Sequence, residues 1–187
     1  MSGHLTPFQT AGPFFDVMLR SRAEMQMVQP DTRGHRITIE GLLLDGGGAP
    51  IHDGLVELWQ ADAEGRYAHP DDPRSAEADA SFYGYGWRHT NEDGSFRFDT
   101  IKPGAVVAPG GGMQAPHILV SVMARGVLTR FITRLYFEDE PSNDRDPILA
   151  LVPAARRNTL IARRAGEGRY RFDIRVQGPE ETVFFDA

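Results

Sequence analysis

Tyr170-Arg171-Phe172-Asp173-Ile174-Arg175-Val176-Gln177 alternates apolar and polar side chains without a break. A period of two puts Tyr170, Phe172, Ile174 and Val176 on one face of an extended chain and the polar residues on the other, as in a strand with one dry side. Working outward, similar patterns predict strands at Ile37 to Leu44, closed by Asp45-Gly46-Gly47-Gly48, and at Val56 to Leu58. A third lies at Phe96 to Phe98, between Asp93-Gly94 and Lys102-Pro103-Gly104, and two more at His117 to Met123 and Phe131 to Phe137. Only Pro153 to Ala165 reads as a helix, with Pro153 suited to the first turn and Leu160 and Ile161 on one side. The expected fold is all-β: a β-sandwich of mostly antiparallel strands with an irregular N-terminal arm and one short helix near the C-terminus.

A chain of 187 residues with 41% hydrophobic content supports one domain with one core. Residues 1–34, interrupted by Pro7, Gly12, Pro13 and Pro30, read as an arm with a short helical stretch at Asp16 to Val28, leaving 35–187 as the sandwich domain. Burial within so small a domain would gain such an arm little, so it is expected to pack on another chain; a loose terminus is the alternative. The balance of 26 acidic and 20 basic residues, net charge -6, with no Lys/Arg-rich run, argues against a nucleic-acid surface. The absence of Cys removes disulfides, thiolate metal sites and thiol nucleophiles, and suits a cytoplasmic protein. Met1 to Gln9 lacks a basic region followed by an apolar stretch, and no apolar run of about 18 residues occurs, so neither export nor a membrane span is expected. Glu138-Asp139-Glu140 reads as a solvated turn, and Arg156, Arg157, Arg163 and Arg164 as a solvated or subunit-facing surface.

Three segments in this order resemble the intradiol ring-cleaving dioxygenases: Val56-Glu57-Leu58-Trp59-Gln60-Ala61-Asp62 with Gly65-Arg66-Tyr67, Asp93-Gly94-Ser95-Phe96 with Ile101-Lys102-Pro103-Gly104, and Ala115-Pro116-His117-Ile118. The ending Tyr170 to Ile174 with Thr182-Val183-Phe184-Phe185-Asp186 extends the likeness almost to the C-terminus. The resemblance implies a catechol-cleaving enzyme whose ferric ion is held by two tyrosinates and two histidines. Anionic phenolate oxygens stabilise the ferric state, and imidazole suits iron of either charge.

The resemblance places the first tyrosine ligand at Tyr67. The second belongs just after Lys102-Pro103-Gly104, where Ala105-Val106-Val107-Ala108-Pro109 stands, with no tyrosine before Tyr136. The family's His-x-His pair here reads His117-Ile118-Leu119, and Leu119 donates to no metal. Tyr67 and His117 are therefore expected as vestigial positions that bind no metal, with His117 a buried, hydrogen-bonded core residue. His69 and Tyr85 are candidate replacements, though residues of these types near turns are usually structural or solvent-facing.

Within the family, the protocatechuate 3,4-dioxygenases pair an alpha chain that has lost the site with a beta chain that keeps ferric iron, and this chain resembles the alpha type. That implies a beta-chain partner and a small aromatic substrate, with no catalytic residue in this chain. Thr10-Ala11-Gly12-Pro13-Phe14 and Ala124-Arg125-Gly126 are similar to the alpha segments that line the neighbouring beta pocket. Thr10, Gly12, Pro13 and Arg125 are thus the expected substrate-pocket residues. Gly12 lets backbone approach a ligand, Pro13 stiffens the wall, and Arg125 could pair either with the substrate carboxylate or with a surface acid. Two other readings stand beside this one: a non-enzymatic sandwich binding module, and a homomeric dioxygenase with altered ligands.

Overall fold

The computed structural model describes residues 10, 12, 25–108 and 111–186. The alternating segments form β1 (Arg36–Leu44), β2 (Leu55–Trp59), β4 (Ser95–Ile101), β7 (His117–Met123) and β8 (Phe131–Phe137). Five short strands and the Tyr85–His89 segment complete the set: β3 (Tyr85–His89), β5 (Val106–Val107), β6 (Met113–Gln114), β9 (Ile161–Gly166), β10 (Arg169–Arg171) and β11 (Ile174–Arg175). β4 and β1 pair antiparallel, and β10 and β11 add to β1 in parallel; across the molecule β3, β2, β7 and β8 pair antiparallel, with β9 parallel to β8. The β9–β10 pairing joins the two halves into one sheet folded over its own core, the sandwich expected from the alternation.

Between the halves lie Ile37, Ile39, Phe96, Phe98 and Ile101 from one side and Val56, Leu58, Ile118, Val120, Leu135 and Phe137 from the other, all in one buried cluster. Burying each such side chain contributes about 1.5–3 kcal/mol, which commits every strand to its register, because a slip of one residue would turn its apolar set outward. Met27 joins this cluster and Val28 bridges to Phe82, so residues 25–28 are extended rather than helical; the rest of the helix expected from Asp16 lies outside the described residues.

The helix expected over 153–165 is absent. Ala154–Leu160 is a 3-10 turn, and Ile161–Gly166 is a strand, because Ile161 and Ala162 add to the free edge of β8 opposite Tyr136 and Phe137. Sheet hydrogen bonds there override a local pattern that also fits a helix. The one short α-helix near the C-terminus, α1 (Pro147–Leu151), starts just earlier and is capped by Asp146, whose carboxylate accepts from Ile148 N and Leu149 N. The final strand is also divided, at Phe172 and Asp173. A side chain on Gly41 would come within 1.9 Å of the Phe172 carbonyl, and Asp173 Oδ1 accepts from Leu42 N at 2.9 Å where a backbone carbonyl would otherwise serve.

The acidic stretch at 138–140 is laced to its surroundings: Glu138 pairs with Arg163 at 2.9 Å, and Lys102 reaches Asp139 and Glu140 at 3.4 Å each. Among the described residues no helix is long and apolar enough to cross a membrane.

Candidate functional site

The loop after β2 is built by carboxylates working as backbone acceptors. Asp62 takes Glu64 N, Arg66 N and Asp79 N, and Asp72 takes Tyr67 N at 2.9 Å and Arg74 N at 2.8 Å. Gly65, at φ +74°, lies against the turn that follows β4: a Cβ there would come within 1.9 Å of the Ala105 carbonyl. Gly104 N in turn donates to Asp62 O at 2.8 Å. This backbone-on-backbone contact, possible because neither residue carries a side chain, welds the Tyr67 loop to the Lys102-Pro103-Gly104 turn. Tyr67 then stacks on Trp59, with ring centroids 5.8 Å apart and planes 10° apart. The two rings, with His69, Arg74, Val106, Val107 and Ala108, line a cavity of about 570 Å³.

Alternation on β7 and β8 aims a second set of side chains away from the core, towards the same side as Trp59. Register puts Tyr85 opposite Trp59, Trp59 opposite Leu119, and Leu119 opposite Arg134, a row across four strands; His117 faces Tyr136 one step along. Ala115, Tyr136, Leu149, Val152 and Leu160 cover the His117 end as a small cluster of their own. Inside it, Asp146, 1% exposed, accepts from Ala115 N at 2.8 Å and from the Tyr136 hydroxyl at 3.0 Å. Arg134 donates to Gln114 Oε1 at 2.6 Å and to the Tyr136 oxygen at 3.5 Å.

His117 is buried, and its Nδ1 lies 2.8 Å from the Ala115 carbonyl, an acceptor, so Nδ1 carries the ring hydrogen. Burial and the Arg134 charge push its pKa down to about 4, so the ring is neutral. Burial raises the Tyr67 phenol, while the same Arg134 charge draws it back down, so one guanidinium bears on both residues.

At the opposite end of β7, Gly126 N donates to Thr10 Oγ1 at 2.7 Å, and the Thr10 hydroxyl lies 3.5 Å from the Ala124 carbonyl. Residues 10 and 124–126 thus form one surface. The Arg125 side chain, 65% exposed, pairs with Asp53. No atom of the described residues lies within 4 Å of where a Cβ on Gly12 would stand. Pro13 lies outside the described residues.

A family model described as a dioxygenase matches residues 11–178. The chain is 42% identical to the protocatechuate 3,4-dioxygenase alpha chain of Burkholderia cepacia over 97% of both chains, and 40% identical to that of Pseudomonas putida over 97% of this chain and 96% of the other. It belongs to the intradiol dioxygenase family. The Burkholderia cepacia beta chain is also similar, at 39% identity over 80% of this chain and 67% of that one. Among solved structures, the dioxygenase domain of a carbohydrate-binding fusion from Streptomyces sp. SirexAA-E aligns with TM-score 0.60 and 29% identity over 82% of this chain and 86% of that one.

Intradiol dioxygenases use iron, and the donor chemistry of this member does not fit a ferric ion. Tyr67 is present in the cavity wall, but the neighbouring residues that line it from the turn after β4, Val106, Val107 and Ala108, offer no side-chain donor. His117 is present, but Leu119 lies on its face of β7, two residues on. Of the candidate replacements, Tyr85 is engaged elsewhere, its hydroxyl donating to Glu57 at 2.6 Å, while His69, half exposed, lines the same cavity as Tyr67 and sits 3.6 Å from Asp71. Sequence reasoning missed Arg134, Gln114 and Asp146. Arg134 occupies the polar phase of a well-formed alternation, and nothing local distinguishes it from a solvated arginine.

Proposed function

We propose that this chain is the iron-free alpha subunit of a protocatechuate 3,4-dioxygenase, which cleaves protocatechuate with O2 to 3-carboxy-cis,cis-muconate. One observation carries the reading. A chain 42% identical to an alpha chain over 97% of both carries Val106 and Leu119, which have no donor atom, at two of the positions where the resemblance expects iron ligands. A beta-chain partner would hold the ferric iron, which activates the catechol towards O2. The absence of Cys from the whole sequence is compatible with a cytoplasmic place for the assembly.

This chain's part is to wall the partner's pocket with Thr10, Gly12, Pro13 and Arg125. Thr10 ties its segment to the 124–126 turn, and among the described residues none crowds the place of a Cβ on Gly12. Arg125 would exchange Asp53 for the substrate carboxylate. That exchange costs little on the Arg125 side, which is exposed, because an ion pair open to solvent contributes only about 0–1 kcal/mol. The test is co-expression with a candidate beta chain, measuring iron and ring cleavage in each chain alone and in the complex. The expected result is activity and iron in the complex and neither in this chain. Stoichiometric ferric iron with a phenolate-to-iron absorption band in this chain alone would refute the reading in favour of a homomeric enzyme.

A further inference from the structure

We infer that Arg134 is the resident cation of this site, standing where a metal's charge would be needed and closing the site to metal ions. Side chains without donors at 106 and 119 would weaken metal binding; they do not explain why a cationic side chain is held there. Arg134 lies directly opposite Leu119 in the β7–β8 register, and cross-strand neighbours have Cβ atoms about 4.5–5.5 Å apart. Any ion held by a side chain at position 119 together with His117 would therefore meet the guanidinium at short range. The group is also fixed in place. Gln114 Oε1 accepts from it at 2.6 Å, and the Tyr136 oxygen, whose hydrogen points to Asp146, lies 3.5 Å away.

Both of those acceptors are neutral. Among the described residues no carboxylate lies within ion-pair distance of Arg134, in contrast to Arg125, Arg163 and Arg169, each of which has one. The charge of this half-buried side chain is thus oriented without an ion-pair partner: Asp146, held beyond the Tyr136 hydroxyl, offsets it only in part, and at His117 the Arg134 charge outweighs that of Asp146. Like charges repel most strongly where water is partly excluded, so an incoming metal cation would be disfavoured even with a complete ligand set. A guanidinium cannot escape by losing its proton.

The inference rests on the reading of this site as a metal-less relative of the family's iron site. Its failure is separable from failure of the subunit proposal, since co-expression plays no part in the test. The full chain carrying Val106→Tyr and Leu119→His is compared with the same chain also carrying Arg134→Gln or Arg134→Lys. Ferric binding is read by metal content and by the phenolate-to-iron band. The expected result is iron binding at least about a hundredfold tighter with Arg134→Gln than with Arg134 or Arg134→Lys. Equal binding with and without the charge, or no binding in any of the three, would overturn the inference.

Because the multiple variants could fail to fold, Arg134→Gln and Arg134→Lys are also made singly and titrated with Cu²⁺, which imidazole and phenolate both bind. Quenching of Trp59, stacked on Tyr67, reports binding. Arg134→Gln is expected to tighten Cu²⁺ binding about tenfold or more, and Arg134→Lys to leave it unchanged. An equal response from both variants would assign Arg134 to packing alone.

Discussion

Asp146 is the pivot of the buried polar network, and its replacement tests whether that network holds the His117 end of the fold together. Its carboxylate accepts four hydrogen bonds: from Ala115 N, from the Tyr136 hydroxyl, and from Ile148 N and Leu149 N at the start of α1. Asp146→Ala removes the helix cap, worth about 1 kcal/mol, and leaves Ala115 N and the Tyr136 hydroxyl buried without an acceptor, at about 1–3 kcal/mol each. The expected loss is about 4 kcal/mol. Asp146→Asn keeps the cap through Oδ1 but turns an amide N–H towards Ala115 N, donor against donor, and should cost about 2 kcal/mol. Urea unfolding of each variant, followed by far-ultraviolet circular dichroism and by Trp59 and Trp87 fluorescence, measures these losses. Tyr136→Phe combined with Asp146→Ala should cost less than the sum of the two by about 1–2 kcal/mol, because Tyr136→Phe removes the donor that Asp146→Ala leaves orphaned. An Asp146→Ala loss below about 1 kcal/mol, or strict additivity with Tyr136→Phe, would show that the network is incidental to stability.

Gly65→Ala should destabilise the chain by at least about 2 kcal/mol and loosen the Trp59 and Tyr67 stack, because it combines a left-handed φ with a clash against the Ala105 carbonyl; thermal unfolding and Trp59 fluorescence report both effects. Asp79 accepts from Arg33 N and from both Ser81 donors. Burial pushes its pKa up, but these bonds and the Arg33 charge outweigh it and bring it down to about 2 from an ordinary 3.8. Its folded value is the lower one, so its stabilisation, about 2 kcal/mol, is present above about pH 4 and is lost as pH falls through about 2. Asp79→Asn should therefore flatten the dependence of unfolding free energy on pH in that window; an unchanged acid limb would assign the loss to other groups. Arg125→Ala should leave the chain's stability within about 1 kcal/mol, since the Arg125 end of its pair with Asp53 is exposed. In an assembled enzyme it should lower kcat/KM about ten- to a hundredfold for protocatechuate, mainly through KM, and far less for plain catechol. Equal losses for the two substrates would assign Arg125 to structure.

The sequence by itself determined the class of fold and which side chains stand at the positions where the resemblance expects metal ligands. Alternation and turn residues place β1, β2, β4, β7 and β8 because a strand with one buried face writes its period directly into neighbouring residues. Val106 and Leu119 are equally legible, since a side chain without a donor atom binds no metal in any conformation. What only the tertiary structure decided depends on partners far away in the chain. Residues 161–166 are a strand because β8 offers them an edge, and the last strand divides because Gly41 admits the Phe172 backbone and Asp173 takes the Leu42 amide. The role of Arg134 likewise depends on register, which sets it opposite Leu119 and beside Tyr136, and through Tyr136 on Asp146. Thr10 meets Gly126 across 116 residues of chain. Periodicity carries information only about the face a residue occupies; which residue stands opposite it, and whose charge it feels, is fixed by packing the two halves of the sheet onto one core.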